Sequence, residues 1–153
     1  MSRIRSKNTK PEMLVRRFLY ANGFRYRVNV RTLPGSPDIV LKKFRTVIFI
    51  HGCFWHSHSC QQGRLPQTNV DFWTRKLTRN KERDSDVREK LRQLGWKTMI
   101  VWECQLKPAV RQQTLQEVVY LLNKANLENL HKRYQLPEET IRIAAEEPPK
   151  YGK

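Results

Sequence analysis

The sequence predicts an α/β domain, a mixed β-sheet with helices on both of its faces. Three observations predict it. Apolar stripes at helical spacing mark "TKPEMLVRRFLYANG" near the start and "LQEVVYLLNKA" late in the chain. Between them stand short runs rich in β-branched residues, "DIVLKKF", "RTVIFIHG" and "WKTMIVWE". One long charged helix, "VDFWTRKLTRNKERDSDVREKLRQLG", separates the last two of these runs. Helical and strand periodicities alternating as α-β-β-β-α-β-α are the pattern of a layered domain. At 153 residues the chain is long enough to bury a core of its own.

The first helix has both of its ends written into it. Thr9 and Glu12 have capping-box spacing, Pro11 sits in the first turn, and Gly23 supplies a stop. Leu14, Val15, Phe18 and Leu19 form its apolar stripe. "FRYRV", residues 24–28, alternates apolar and basic positions as a half-exposed strand does. "LPGSP" is a turn, and "DIVLKKF" is a strand that breaks at Lys42 and Lys43. The stretch from Cys53 to Asn69 has little periodicity and carries Gly63 and Pro66, so it reads as a loop. A loop that long inside a compact domain needs a function or a clamp. Thr68 and Asp71 are expected to open the long helix, and Gly95 to close it. From His131 onward the chain is polar and Pro-bearing. The expected organisation is therefore one domain over 1–130 and a loosely docked or mobile tail over 131–153.

Charge narrows the partners. Thirty Lys and Arg against fourteen Asp and Glu leave a formal charge of +16. A positive field of that size attracts polyanions, so nucleic acid is the expected partner; the blander alternative is a merely solvated basic surface. No apolar run approaches the ~20 residues of a membrane span, and "MSRIRSKNTK" has no apolar core of a secretory signal. Three cysteines, an odd number, argue for a reducing compartment and against a disulfide framework. The composition thus points to a cytoplasmic, nucleic-acid-facing protein.

The segment "HGCFWHSHSC", His51 to Cys60, holds three of the four histidines and two of the three cysteines. Thiolate and imidazole are the usual zinc ligands, and structural sites take four in a tetrahedron. Cys53, Cys60 and one histidine can wrap one ion, with Cys104, just past the "MIVWE" strand, as the fourth. Spacing alone leaves open whether His56 or His58 is that histidine. The competing reading is buried thiols that merely pack, but Cys53 and Cys60 lie in the least apolar part of the chain.

Carboxylates are scattered through the same elements. Asp38 starts a strand after a Gly-containing turn, and the next strand delivers His51 at its end. Glu12 lies on the first helix and Asp84 on the long one. Taken singly, each reads as a turn residue or a solvated helical charge. Together they suit phosphodiester hydrolysis, which needs Mg2+ to offset developing charge and a base to activate water. Carboxylates suit Mg2+, and an imidazole titrates near working pH.

The blocks "MSRIRSKNTKPE", "LPGSPDIV", "VIFIHGCFWHSHSC", "FWTRKLTRNKERD" and "LGWKTMIVWEC", in this order, resemble the very short patch repair (Vsr) endonucleases, which nick DNA at T:G mismatches. The resemblance runs from about Met1 to about Lys107. It implies a restriction-endonuclease-like α/β fold with a structural Zn2+ held by Cys53, His58, Cys60 and Cys104. It implies Mg2+, two ions in all, with Asp38 and the backbone carbonyl of Ile50 as ligands. His56 becomes the general base, while His51, Glu12 and Asp84 orient metal-bound water or the scissile phosphate. Phe54, Trp55 and Trp73 resemble the family's aromatic wedge, driven into the duplex from the major groove, and Met1 joins the DNA-binding residues. Family members generally carry a basic segment ahead of the methionine that aligns with Met1; the present sequence starts there, so no arm contacts are assigned. The resemblance further implies double-stranded DNA with a T:G mismatch as substrate, mismatch-repair proteins and a DNA polymerase as partners, a monomer, and a bacterial cytoplasmic setting at the nucleoid. The rival expectation is a zinc-organised DNA-binding protein without catalysis.

Overall fold

The computed structural model describes residues 8–134. Met1 and the tail from residue 135 lie outside the described residues. The chain runs α1 (Lys10–Ala21), β1 (Arg27–Val28), β2 (Ile39–Leu41), β3 (Thr46–His51), α2 (Val70–Gln93), β4 (Lys97–Trp102) and α3 (Arg111–Tyr134), in the order expected. Short 3-10 turns follow β2 and β4 at Lys42–Phe44 and Glu103–Leu106, and a third lies in the long loop at Gln61–Gly63. The four strands form one sheet in sequence order. β1, β2 and β3 pair antiparallel, whereas β3 and β4 pair parallel, with α2 as the crossover between them.

Alternation along the strands divides the core in two. Ile39, Leu41, Ile48 and Val101 face α1 and α3, where Val15, Leu19, Leu115, Val118 and Leu122 cover them. Val40, Val47 and Phe49 face the other way, onto Leu91 with Val87, Trp96 and Ile100 beside it. Helices on both faces explain why β2 and β3 read as near-continuous apolar runs rather than as alternating ones.

Several boundaries differ from the sequence expectation, each for a local reason. The strand expected over 24–28 is reduced to Arg27–Val28. Phe24 donates its N–H to Leu19 O, and Gly23, at φ +87, donates to Tyr20 O; this capping motif at the end of α1 consumes the residue where a strand would begin. Glu12 receives the Thr9 side-chain cap at its N–H, but its carboxylate turns to Asn8 N–H instead of closing a capping box. α2 starts from Asn69, in the left-handed conformation at φ 54, and Thr68 does not cap it. α3 continues through Tyr134, four residues into the segment expected to be tail, because no Gly or Pro interrupts the sequence before Pro137.

The topology fixes where chemistry can gather. Antiparallel pairing of Ile39 with Ile48 sets the start of β2 against the end of β3. Parallel pairing of His51 with Trp102 sets the ends of β3 and β4 side by side. Asp38, His51 and Cys104 are therefore delivered to one end of the sheet. Ile48, fully buried in the central strand, tests this framework: Ile48→Ala should cost about 2–5 kcal/mol in urea unfolding, whereas Leu127→Ala, on the exposed side of α3, should stay within about 0.5 kcal/mol.

Candidate active site

The loop after β3 separates the clustered histidines into two groups. His58 goes to the cysteines: the ligand atoms of Cys53, His58, Cys60 and Cys104 all lie within 4.8 Å of one another. His56 goes instead to His51 and Asp84, another group within the same mutual distance. The fork that spacing left open is thus resolved by the fold. Trp102 stands between the groups, stacked on His58 at 4.1 Å and edge-on to His51 at 5.3 Å.

The cysteine cluster has the shape of a tetrahedral metal site. Cys104 Sγ lies 3.5 Å from His58 Nδ1, and a zinc tetrahedron with ordinary bond lengths has an N–S edge of about 3.6 Å. All three cysteines are free thiols. Burial pushes the Cys53 thiol up to about 12 and raises Cys104 as well. Burial also acts to raise Cys60, but the His58 ring, Cys53 and the N–H groups of Gln62 and Gly63 outweigh it and bring that thiol down to about 6. Three sulfurs crowded in this way with one imidazole fit a soft divalent cation, which would deprotonate them outright. The loop closes on itself around them. His58 N–H donates to Cys53 O at 2.9 Å, and a Cβ on Gly63 would stand 1.9 Å from His58 O, so only glycine fits there.

The second group lines a cleft of about 600 Å³ together with Glu12, Asp38, Ile50 and Trp55. Asp38 Oδ2 accepts the Ile50 N–H at 2.7 Å. Continuing the β2–β3 register places Pro37 opposite Ile50. Proline has no N–H to give, so the Ile50 carbonyl lacks its ladder donor and remains available to a ligand in the cleft. Burial raises the Asp38 carboxyl to about 6, against the Ile50 N–H, with Glu12 raising it further. A half-buried carboxylate beside a free carbonyl, with a second carboxylate near, fits a hard divalent cation. Glu12 itself is buried, paired with Arg16 at 3.0 Å.

His56 Nδ1 lies 2.6 Å from Asp84 Oδ2. With Nδ1–H donated to the carboxylate, Nε2 keeps its lone pair. The His51 ring stacks on His56, centroids 3.7 Å apart and planes within 5°. Burial, and then the His56 charge, lower His51 to about 4, and its buried Nδ1 has no hydrogen-bond partner. Around the rim, Phe54, Trp55 and Trp73 pack edge to face with centroids 5.1–5.9 Å apart. Asn80 holds the loop to α2 by donating to Trp55 O at 3.2 Å.

Comparison with known proteins identifies the family. Residues 1–62 match the family described as DNA mismatch endonuclease Vsr. The chain is 55% identical over 107 residues to the type II nicking enzyme V.NmeAIP of Neisseria meningitidis serogroup A, an alignment covering 70% of this chain and 76% of the relative. It is 42% identical over 107 residues to the DNA mismatch endonuclease Vsr of Escherichia coli K12, covering 70% and 69% respectively. The chain belongs to the Vsr endonuclease family. The nicking enzyme V.XorIIP of Xanthomonas oryzae is similar too, 45% identical over 106 residues and 78% of its length.

Several residues of this Vsr-family site went unnoticed in the sequence. Trp102 read only as part of a buried strand. Phe72, 52% exposed, packs on Trp73 at 5.1 Å, and Lys76 Nζ sits 5.4–5.9 Å from the Trp55, Phe72 and Trp73 rings. The i, i+4 spacing of Phe72 and Lys76 was the available signal. Lys10 and Arg83 line the cleft with no sequence signature beyond their charge.

Asp38 gives the site a stability signature. Its folded pKa, about 6, lies above the ordinary 3.8. Its contribution to stability is therefore complete below about pH 4 and lost as pH rises through 6, a cost on the order of 3 kcal/mol. In the absence of divalent cations, Asp38→Asn should match the parent at pH 4 and exceed it by about 2–3 kcal/mol at pH 8 in urea unfolding. Equal stabilities at pH 8 would show that the carboxylate carries no such penalty.

Proposed function

We propose that this Vsr-family chain is a Mg2+-dependent, strand-specific DNA endonuclease. It hydrolyses the phosphodiester 5′ to the thymine of a T:G mismatch and leaves a 5′-phosphate. The observation that carries the reading is His56, oriented by Asp84 and opening onto the same cleft as Asp38. An imidazole whose Nδ1–H is held by a carboxylate is positioned to take a proton at Nε2 from an attacking water. Asp38 and the Ile50 carbonyl would hold Mg2+, two ions in the full site, with Glu12 and His51 orienting water and phosphate. Bound Mg2+ offsets charge developing on the phosphate. His51, kept neutral by burial, adds no charge that would repel a cation.

Cys53, His58, Cys60 and Cys104 would hold a structural Zn2+ that keeps His56 against α2, inside a restriction-endonuclease-like fold. Phe54, Trp55 and Trp73 would enter the duplex as a wedge. Stacking returns about 1–3 kcal/mol per base, comparable with the few kcal/mol of unstacking one step. A mispaired step opens at lower cost, so deformability contributes to selectivity. The biological reading is repair of deaminated 5-methylcytosine by very short patches in a bacterial cytoplasm, by a monomer handing over to mismatch-repair proteins and a polymerase. Among the described residues no helix is long and apolar enough to cross a membrane.

The rival, a zinc-organised DNA binder without catalysis, has no need of the His56–Asp84 pair. Asp38→Ala separates the two on a T:G duplex with Mg2+. Nicking should fall about 100- to 1000-fold while duplex affinity stays within about threefold, by analogy with loss of other charge-stabilising groups. Failure of the parent protein to nick would favour the rival. The zinc assignment predicts one Zn2+ per chain by elemental analysis. Cys104→Ser should lose that metal and loosen the 53–69 loop to protease; retention of stoichiometric zinc would refute the ligand set.

A further inference from the structure

A second concave surface lies at the other end of the sheet. The turn after β2 and the last turns of α3 enclose a cleft of about 500 Å³. Among the described residues its lining is Lys42, Lys43, Arg45, Lys132, two asparagines and Leu130, with no carboxylate. The start of β3 adjoins this cleft and its end reaches His51. Five residue steps of strand separate the two by roughly 17 Å. The cleft therefore belongs to neither the catalytic groups nor the aromatic rim.

The fold holds one of these cations in place at some expense. Arg45 adopts the left-handed conformation at φ 49, and its guanidinium sits 4.4 Å from the centre of the Trp96 ring while Nη2 donates to Leu94 O. Asn129 ties α3 to the turn by donating to Phe44 O at 2.7 Å. Lys97 and Lys124 stand in an adjoining hollow, where Lys97 pairs with Glu128. Burial, and then the charges of Lys132 and Lys124, lower the Lys97 pKa. Among the described residues Glu128 is the one carboxylate lining either hollow, so these like charges repel one another, and an anionic ligand relieves that repulsion. Lysine and arginine beside asparagine amides are also the side chains that commonly take phosphate oxygens.

We propose that this cleft is a second nucleic-acid-binding site, which holds the phosphate backbone of a duplex segment separate from the one in the catalytic cleft. Backbone contact of this kind is independent of sequence and weakens with salt. It would let the protein keep hold of one DNA segment while sampling another. The proposal shares with the endonuclease reading only the choice of DNA as ligand, and it is measured without any nicking.

The test loads the full chain onto an immobilised T:G duplex without Mg2+, then adds a fluorescent, fully paired duplex at 50 to 200 mM salt. The parent protein should capture the second duplex, and Lys42→Ala/Lys43→Ala/Lys132→Ala should reduce capture tenfold or more at 50 mM. Removing one lysine–phosphate pairing lowers the slope of log affinity against log salt by about 0.9, so the triple variant should lose about 2–3 from that slope. Its nicking of a short T:G duplex should stay within twofold of the parent. All three lysines are exposed, and Lys43→Glu/Lys132→Glu, which reverses charge without touching the turn's backbone, should lose capture as well. No capture by the parent, or equal capture by both variants, overturns the site. Lysine-dependent binding of poly-glutamate with no effect on duplex capture would assign the cleft to an acidic protein segment and overturn it equally. Capture by a parent protein that fails to nick would leave this site standing and remove the catalytic reading alone.

Discussion

The hydrogen bond from Ile50 N–H to Asp38 Oδ2 joins the framework of this protein to its chemistry. It lies where the β2–β3 ladder would continue by one more pair, opposite Pro37, which has no N–H to give the Ile50 carbonyl. The ladder stops, a side-chain carboxylate takes over the N–H, and the carbonyl of the same residue is left without its partner. Because the register is set by opposed apolar faces, a slip of one residue would turn Ile39 from the α1–α3 side to the α2 side and take the Asp38 carboxylate away from the Ile50 N–H. The two cores therefore hold the carboxylate in place at the sheet's end, although neither core touches substrate.

The loop after β3 faces a different problem, since seventeen residues with almost no regular structure must present His56 to α2. The cysteine cluster gathers both ends of the critical stretch, with Cys53 and Cys60 bracketing it and Cys104 beside them just past the end of β4. Trp102, one residue before the turn that carries Cys104, packs flat against His58 and edge-on to His51. Contacts on the two sides of this indole couple the cysteine cluster to the histidine pair. Disturbing one group would move the other through a rigid aromatic plane, with no hydrogen bond needed between them.

Much of this was legible in the sequence, and the exceptions share a cause. Element order, the buried strands and the convergence of Cys104 on Cys53 and Cys60 follow from periodicity and topology. The division of labour between His56 and His58 does not: two residues apart in an irregular loop, they have no periodicity to sort them, so the family resemblance alone implied it, and the fold directs one to α2 and the other to the thiols. Phe24 was read as strand because its apolar character fits one, yet its N–H serves the end of α1. Thr68 matched a capping pattern, but Asn69 tolerates the left-handed conformation at which α2 begins. Trp102 was missed because a tryptophan ending a buried strand looks like core, and only its neighbours across the sheet reveal its position. Local codes read well where the backbone is regular; in the loop, contacts distant in sequence decide.

Those same places are where the molecule departs from the economy of an ordinary core. Ser36, which lines the cleft, and Ser57, next to His56 in the loop, hold positive φ, at 46° and 55°. His51 is buried with an unpartnered nitrogen, and Asp38 is held in surroundings that favour its neutral form. Each feature costs free energy that better packing or pairing would recover. Such features also occur away from the cleft: Arg16 in α1 is buried with an unpartnered Nε, and Arg45 and Asn69 hold positive φ as well. Several of them coincide where Asp38, the Ile50 carbonyl and two imidazoles meet, and a divalent cation in the cleft would relieve one of them by making the Asp38 carboxylate the favoured form. Metal affinity and instability of the metal-free protein would then be two measures of one electrostatic arrangement.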